Sequence, residues 1–573
     1  MLNFLQQPIP VSDWVTNATD WLTNTFAGLF SVLQTIGQFV MEGMTNGLLL
    51  VPPLLMVLIV TIVAYFISGK KWGLTAFTFI GLLFIYNQGL WTALMNTVTL
   101  VIISSLVSII IGVPLGILMA KSEKAQSIIT PVLDFMQTMP GFVYLIPAVA
   151  FFGIGMVPGV FASVIFALPP TVRMTNLGIR QVPTELVEAS DSFGGTGKQK
   201  LFKLELPLAK STIFAGINQT IMLALSMVVI ASMIGAPGLG QGVLSAVQRS
   251  QVGSGFVNGL ALVVLAIIMD RFTQNMNRPK SNKEPKTAKQ KKVITGSIIA
   301  AIIVLVGGTV ISSMLGDKKE TVNLAYVEWD TEVASTTVVS EVLRDMGYEV
   351  NMTPLDNAIM WEAVANGEAD GMVAAWLPGT HGTQYEKFKD KVENLGPNLE
   401  GGARLGIVVP SYMDVDSIED LSDQANKTIV GIEPGAGVVS AAEKTVEEYP
   451  NLSDWNLMTS SGGAMTTELA NAVKNEKEIV ITGWSPHWMF SRYDLKYLED
   501  PKGTMGGEES IHTMVRHGLK EDMPEVYNVL DNFSWELEDI EGMMLEIENG
   551  TDPVQAARDW MDANEETVNS WKQ

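Results

Sequence analysis

Two Trp-x-Pro motifs, Trp376-Leu377-Pro378 and Trp484-Ser485-Pro486, stand at matching places in two stretches of the chain. Each follows an apolar, strand-like run. Before each run lies a helix-like one, Ala363-Val364-Ala365-Asn366 in the first stretch and Ala472-Val473-Lys474-Asn475 in the second. Val327-Glu328-Trp329-Asp330 opens the first stretch and Gly431-Ile432-Glu433-Pro434 the second. Aligning Glu328 with Glu433 also aligns Ser335 with Ser440. This is the pattern of a diverged repeat. Two similar lobes, each ending a strand in tryptophan, predict a cleft lined by indole faces. Such a face is electron-rich and attracts cations that cannot donate hydrogen bonds, above all quaternary ammonium.

The elements that would hold these rings follow from the same region. Strand-like segments (Val322–Val327, Ile407–Val409, Ile479–Ile481) alternate with helix-like ones (Val333–Met346, Val438–Glu448). That alternation predicts parallel sheets with helices on both faces. Two lobes around a cleft predict a domain that closes on a hinge. Trp361, Trp455 and Trp560 lack the repeat and read as core packing.

The rest of the chain has a different chemistry. Residues 1–316 hold 19 Lys/Arg and 11 Asp/Glu, whereas residues 317–573 hold 18 and 49, so a net +8 and a net −31 make up the overall −23. The acidic part argues against nucleic acid as a partner. With no cysteine, disulfides and thiolate metal sites are excluded. Eight apolar segments approach the roughly 20 residues that cross a bilayer. They lie near 48–67, 72–90, 96–119, 140–155, 157–176, 212–234, 255–270 and 293–315. Those near 140–155 and 157–176 are short and interrupted by Pro147, Pro158, Pro169 and Pro170. They read either as spans lining a path or as ordinary kinked bundle helices. The basic loops then fall on one side, the cytoplasm. Both the N-terminus and the acidic domain fall outside. The tether between the last span and the domain is about five residues, a reach below roughly 20 Å.

Residues 1–46 read as an amphipathic interfacial scaffold, with Trp14, Ala18, Trp21, Phe26, Phe30, Leu33, Ile36 and Val40 on one face of a helix over 12–43. Residues 47–275 read as the transmembrane part, 276–292 as a basic cytoplasmic loop, 293–316 as an anchor and 317–573 as the extracellular domain. The basic loop satisfies positive-inside topology and also suits contact with anionic lipid.

Glu188-Ala189-Ser190-Asp191-Ser192-Phe193-Gly194, followed after nine residues by Leu204-Glu205-Leu206-Pro207, resembles the EAA loop of ABC importer permeases. Ser190 and Leu204 are mild departures from that pattern. The resemblance implies a helix, a turn at Gly194 and a second helix that dock on an ATPase, with Glu188, Ala189, Gly194, Leu204 and Pro207 in the coupling element. Gly194-Gly195-Thr196-Gly197-Lys198-Gln199 imitates a phosphate loop. However, Ser192 stands where its first glycine belongs and Gln199 where it needs Ser or Thr. ATP and magnesium are therefore expected on a separate subunit, and this chain is expected to bind no cofactor and to catalyse no reaction.

Residues 321–573 resemble the glycine betaine-binding proteins of the OpuA/ProX kind through Glu328-Trp329, Asp370–Pro378, Gly431–Gly437 and Gly483–Trp488. The whole chain resembles the fused permease–binding subunit of an OpuA-type importer. The implied fold is a helical type I ABC permease joined to a two-lobed α/β domain like a periplasmic binding protein. In that family three tryptophans surround the trimethylammonium group, and the matching positions are Trp329, Trp376 and Trp484. The resemblance puts the ligand carboxylate on the backbone N–H groups of Gly437 and Val438, where a glycine-rich turn enters a helix, and on His381. His487 is the alternative donor. It also implies two copies of this chain with two ATPase subunits, a role in osmoprotection, and a cell envelope without a periplasm. The rival readings are a choline, proline betaine or carnitine importer and a tethered sensor that does not transport.

Overall fold

A computed structural model describes residues 10–248, 251–277 and 320–573, which form two compact units. All but the first two residues of the basic loop 276–292, and the whole anchor 293–316, lie outside the described residues.

The first unit is helical. Four described helices are long and apolar enough to cross a membrane: Trp91–Lys121, Met156–Arg180, Gly197–Ser232 and Val252–Asn275. Two more spans arise if each bent pair counts once. Val11–Leu49 meets Pro53–Ile67 at 94°, and Glu123–Thr138 meets Gly141–Phe152 at 107°. Trp72–Asn87 is apolar but only 16 residues long. The segment expected near 140–155 is thus one arm of a bent pair. The helix breaks at Met139-Pro140, and Gly153 and Gly155 adopt positive φ after the second arm. Pro169 and Pro170, by contrast, sit inside one continuous helix. Thr220 on a neighbouring helix donates to the Ala167 carbonyl just before them at 2.8 Å. The N-terminal helix runs to Leu49 rather than to residue 43, with non-helical backbone at Phe26. Its far end is buried at Met41 and Thr45, where Thr45 bonds Thr99 at 3.0 Å.

The three central helices pack closely because small residues face each other. A Cβ on Gly116 would come within 2.6 Å of the Val172 carbonyl, and one on Gly216 within 2.9 Å of the Pro170 carbonyl.

The second unit holds one mixed sheet in the order β2-β1-β3-β9-β4-β7-β5-β6, with β8 on β4. Its strands are β1 Thr321–Tyr326, β2 Glu349–Pro354, β3 Gly371–Leu377, β4 Val392–Pro410, β5 Thr428–Gly431, β6 Asn456–Thr459, β7 Val480–Ser485, β8 Leu495–Tyr497 and β9 Glu508–Arg516. Pairing is parallel within β2-β1-β3 and within β7-β5-β6, as the alternation predicts. It is antiparallel at β3/β9, β9/β4 and β4/β7, which corrects the expectation of purely parallel sheets. The reason is connectivity. The chain leaves the first lobe along β4 and returns along β9, so the two crossing strands must run in opposite directions.

Helices cover both faces. Asp330–Asp345 is buried along nearly its whole length, with Val338, Val339, Val342 and Leu343 at 0 % exposure. Each such side chain contributes about 1.5–3 kcal/mol relative to exposure. The C-terminal helices Pro524–Asn532, Leu537–Glu548 and Pro553–Ala563 pack on this helix, which is why it has no solvent face.

Candidate ligand site and coupling loop

β3 and β7 are central strands covered on both faces, so β3 is apolar throughout and β7 is apolar apart from Thr482 and Ser485. Each delivers its Trp-x-Pro at its carboxyl end, and both X-Pro bonds are cis. Trp329 follows β1 and occupies the residue before helix Asp330–Asp345. The structure brings Trp329, Trp376 and Trp484 to the wall of one small cavity. Leu405, Ile432 and the backbone turn Ala436-Gly437-Val438 complete its wall, with Thr331 and Thr380 supplying hydroxyls. No lining residue carries a charge. A site of this kind holds a cation by ring faces and by exclusion of water, not by a carboxylate.

Two backbone donors open on the same cavity. Gly437 and Val438 begin the 12-residue helix Gly437–Glu448, whose cap residue Ala436 offers no side-chain bond. Neither of these N–H groups donates to any group among the described residues, whereas Val439 and Ser440 already bond the Ala436 carbonyl. The free pair sits at the positive end of the helix, a ready position for a carboxylate. Gly437 lies against the other lobe. A Cβ there would stand 2.3 Å from Thr380 Cγ2 and 2.8 Å from its carbonyl oxygen. Thr380 cannot yield easily, because its hydroxyl bonds Glu509 at 2.9 Å and its N–H bonds the same carboxylate at 3.0 Å.

His381 stands behind the cavity wall, not on it. It is fully buried and stacks on Trp329, with centroids 6.0 Å apart at 17°. Its Nδ1 accepts the Trp376 N–H at 3.1 Å, which leaves the ring proton on Nε2. Nε2 has no partner among the described residues. Burial pushes this imidazole down to about 4, with the Ala374 carbonyl pulling slightly upward, so the ring is a neutral single donor near neutral pH. His487 is the counterpart in the second lobe, edge-on to Trp484 at 4.7 Å. Its Nδ1 accepts from Met489 N–H at 3.1 Å, and burial also pushes it down to about 4 against a smaller pull from Asp330.

Several neighbours escaped sequence reasoning. Glu433, known there only as the repeat mate of Glu328, accepts a hydrogen bond from Trp329 Nε1. Burial pushes its carboxyl up, while that bond pulls it down. Thr331 Oγ1 lies buried on the cavity without a partner among the described residues. Thr380 could have been found as the side-chain-bearing one of the two residues, Gly379 and Thr380, between Trp376-x-Pro and His381. Leu405 carries no local signal, because its position depends on where β4 crosses between the lobes.

In the first unit, Thr184–Ser192 is a helix, Gly194 takes φ +74°, and Gly197–Lys200 begins the next helix. Thr196 and Gln199 form a reciprocal cap, which accounts for the apparent phosphate loop as a helix start. Glu188 and Ala189 lie on the first helix, Leu204 in a π-helical turn and Pro207 in the first turn of Leu206–Ser232. Lys200 clamps Asp191 at 2.8 Å, and Lys121 holds the buried Glu205 at 2.6 Å. The loop is thus tied to two long helices. A Cβ on Gly194 would meet nothing within 4 Å, so the glycine is required by its left-handed backbone and not by crowding.

The fold and the two sites define a membrane permease joined to a two-lobed solute-binding domain. Residues 320–563 match the family described as substrate binding domain of ABC-type glycine betaine transport system. Residues 112–281 match the binding-protein-dependent transport system inner membrane component. The glycine betaine/carnitine transport permease protein GbuB of Listeria monocytogenes is 60 % identical over 272 residues, 47 % of this chain and 96 % of that protein. The glycine betaine transport system permease protein OpuAB of Bacillus subtilis is 51 % identical over 276 residues, 48 % of this chain and 97 % of that protein. The crystal structure of lactococcal OpuAC in its closed-liganded conformation with glycine betaine is 57 % identical, covering 44 % of this chain and all of that one, with a TM-score of 0.44. The chain belongs to the OpuA-type glycine betaine ABC importers, as a multi-pass membrane subunit that fuses permease and substrate-binding domain.

Proposed function

We propose that this chain captures glycine betaine in the cleft and passes it through its own permease for osmoprotection. The observation that carries the reading is one cavity with three indole faces, no charged wall, and the two free amides of Gly437 and Val438. A trimethylammonium group has methyls on every side and no N–H, so rings serve it better than a carboxylate would. Trp329, Trp376 and Trp484 take this group. The ligand carboxylate meets the Gly437 and Val438 N–H groups, and His381 Nε2–H becomes its side-chain donor. That contact would satisfy a buried N–H which otherwise costs about 1–3 kcal/mol. A partner ATPase, two copies per assembly with two copies of this chain, binds ATP and magnesium and moves the loop holding Glu188, Ala189, Gly194, Leu204 and Pro207. The binding domain faces outward, and the basic loop 276–292 meets anionic lipid.

The test uses the full chain in lipid nanodiscs with a ligand panel read by tryptophan fluorescence. Glycine betaine should bind more tightly than choline. Trp376→Ala or Trp484→Ala should weaken it tenfold or more, since a desolvated cation–ring contact is worth about 2 kcal/mol. His381→Ala should weaken glycine betaine more than choline, which has no carboxylate. Equal losses for the two ligands would remove His381 from the carboxylate end, and no binding of glycine betaine would refute the reading.

A further inference from the structure

Two indole N–H groups cross between the lobes, and each ends on a carboxylate. Trp329 of the first lobe donates from Nε1 to Glu433 of the second. Trp488 of the second lobe donates from Nε1 to Asp330 Oδ2 of the first, at 2.7 Å. Trp329 and Asp330 are chain neighbours, so one dipeptide both gives and receives across the gap. Of these four residues only Trp329 lines the cavity. Trp488 is 3 % exposed and packs at 5.2 Å from the His487 ring, which in turn meets Trp484. The second bond therefore stands one ring behind a cavity wall on one side and one residue from a cavity wall on the other. Further along the same edge, Arg492 reaches Glu548 at 2.8 Å, but both ends are 38 % exposed and such a pair holds little.

We propose that Asp330 and Trp488 act with Trp329 and Glu433 as a clasp that holds the lobes shut on the ligand and sets its rate of release. The inference rests on the ligand reading above. The four residues are not on one lobe, so their bonds exist only when the lobes meet. Opening the cleft breaks both bonds at once, and it also frees the Trp329 ring from the carboxylate that fixes its plane. Ligand encounter takes place with the cleft open and needs neither bond. Loss of the clasp therefore appears in release and not in association, where changes between related complexes mostly lie. A hydrogen bond to an ionised acceptor is stronger than a neutral one, but Asp330 is about one-third exposed and water competes. About tenfold faster release is the expected effect of losing the Trp488–Asp330 bond, a loss of about 1.4 kcal/mol.

Stopped-flow tryptophan fluorescence on the full chain in nanodiscs, with glycine betaine as the probe, tests this. The variants are Asp330→Ala, Trp488→Phe, which keeps a ring in place but no N–H, and the double variant. Release should quicken about tenfold in each single variant, association should stay unchanged, and the double variant should release no faster than either single one. Unchanged release in a wild type and variants that all bind overturns the clasp alone. Additive effects in the double variant, or a fall in the unliganded melting temperature that matches the change, overturn it as well. A wild type that does not bind glycine betaine removes the ligand reading and the clasp together.

Discussion

Gly437→Ala tests the closed cleft at its narrowest point. The added methyl would lie 2.3 Å from Thr380 Cγ2 and 2.8 Å from the Thr380 carbonyl, both below any ordinary contact. One of these atoms is backbone. The other is a methyl whose rotamer is pinned, because the Thr380 hydroxyl and N–H both bond Glu509. Gly437 belongs to the second lobe and Thr380 to the first, so the clash exists only when the lobes meet. The variant should fold normally and meet its penalty on closing. Overpacking of one methyl costs about 1–3 kcal/mol, which corresponds to roughly 5- to 150-fold weaker binding. Isothermal calorimetry on the full chain in nanodiscs measures the affinity, and melting without ligand checks the fold. Adding Thr380→Ser removes the methyl contact but leaves the carbonyl contact, so it should recover part of the loss. Unaltered affinity in Gly437→Ala, with its fold intact, would show that the ligand is bound with the lobes farther apart. The same loss without ligand, seen as a lower melting temperature, would place the clash in the fold rather than in closure.

Gly194→Val forces a side chain into a left-handed turn, φ +74°, at a cost of about 1–2 kcal/mol. It should abolish ATP-driven uptake in vesicles containing the partner ATPase while ligand binding survives, and normal uptake would show that the loop does not couple. His487 predicts a pH effect of definite sign. Burial lowers its pKa from 6.5 to about 4, so between those values the unfolded chain binds the extra proton. Its contribution to stability is full above pH 6.5 and falls away as pH drops toward 4, by about 3 kcal/mol in all. The melting deficit of His487→Gln against wild type should therefore be largest at pH 7.5 and narrower at pH 5, while Glu332, Glu433 and Glu509 cancel in the comparison. A deficit independent of pH would mean that His487 takes up its proton in the folded protein as readily as in the unfolded chain, and a deficit wider at pH 5 than at pH 7.5 would mean that the fold holds it charged.

The parts of this molecule that repeat were the parts that could be read. Trp376 and Trp484 announced themselves because two copies of a strand end in the same three-residue motif, and the paired strands β3 and β7 sit at matching places in their lobes. The shape of the loop around Gly194 was legible for a related reason: its glycine and proline occupy fixed distances along one helix–turn–helix. What stayed hidden depends on meetings between distant segments. Leu405 reaches the cavity because β4 crosses the sheet, and no window around residue 405 contains that fact. The Trp488–Asp330 bond joins residues 158 apart in sequence. The bend between Glu123–Thr138 and Gly141–Phe152 was hidden in another way. Hydropathy counts apolar residues and says nothing of direction, so an interrupted run reads the same whether it spans, kinks or turns back.

The charge of the domain adds a last step. Residues 317–573 carry a net −31, and a field of that sign draws choline, a cation, more strongly than a betaine whose charges cancel. Long-range attraction therefore works against selectivity for a zwitterion. The three rings cannot restore it, since both ligands present the same trimethylammonium group. Discrimination must come from the other end of the cavity. There the Gly437 and Val438 N–H groups stand at a helix start with no partner among the described residues. A carboxylate satisfies them with charge-assisted bonds. Choline offers one hydroxyl and leaves donors unpaired away from water, which is the more expensive failure. On the proposed reading the common group is held by residues that carry no charge, and selection falls to the two backbone donors with His381 beside them. Gly437→Ala penalises the closure that both ligands need and keeps the N–H, so it should weaken both by similar factors, whereas loss of the His381 donor should narrow the preference for glycine betaine over choline.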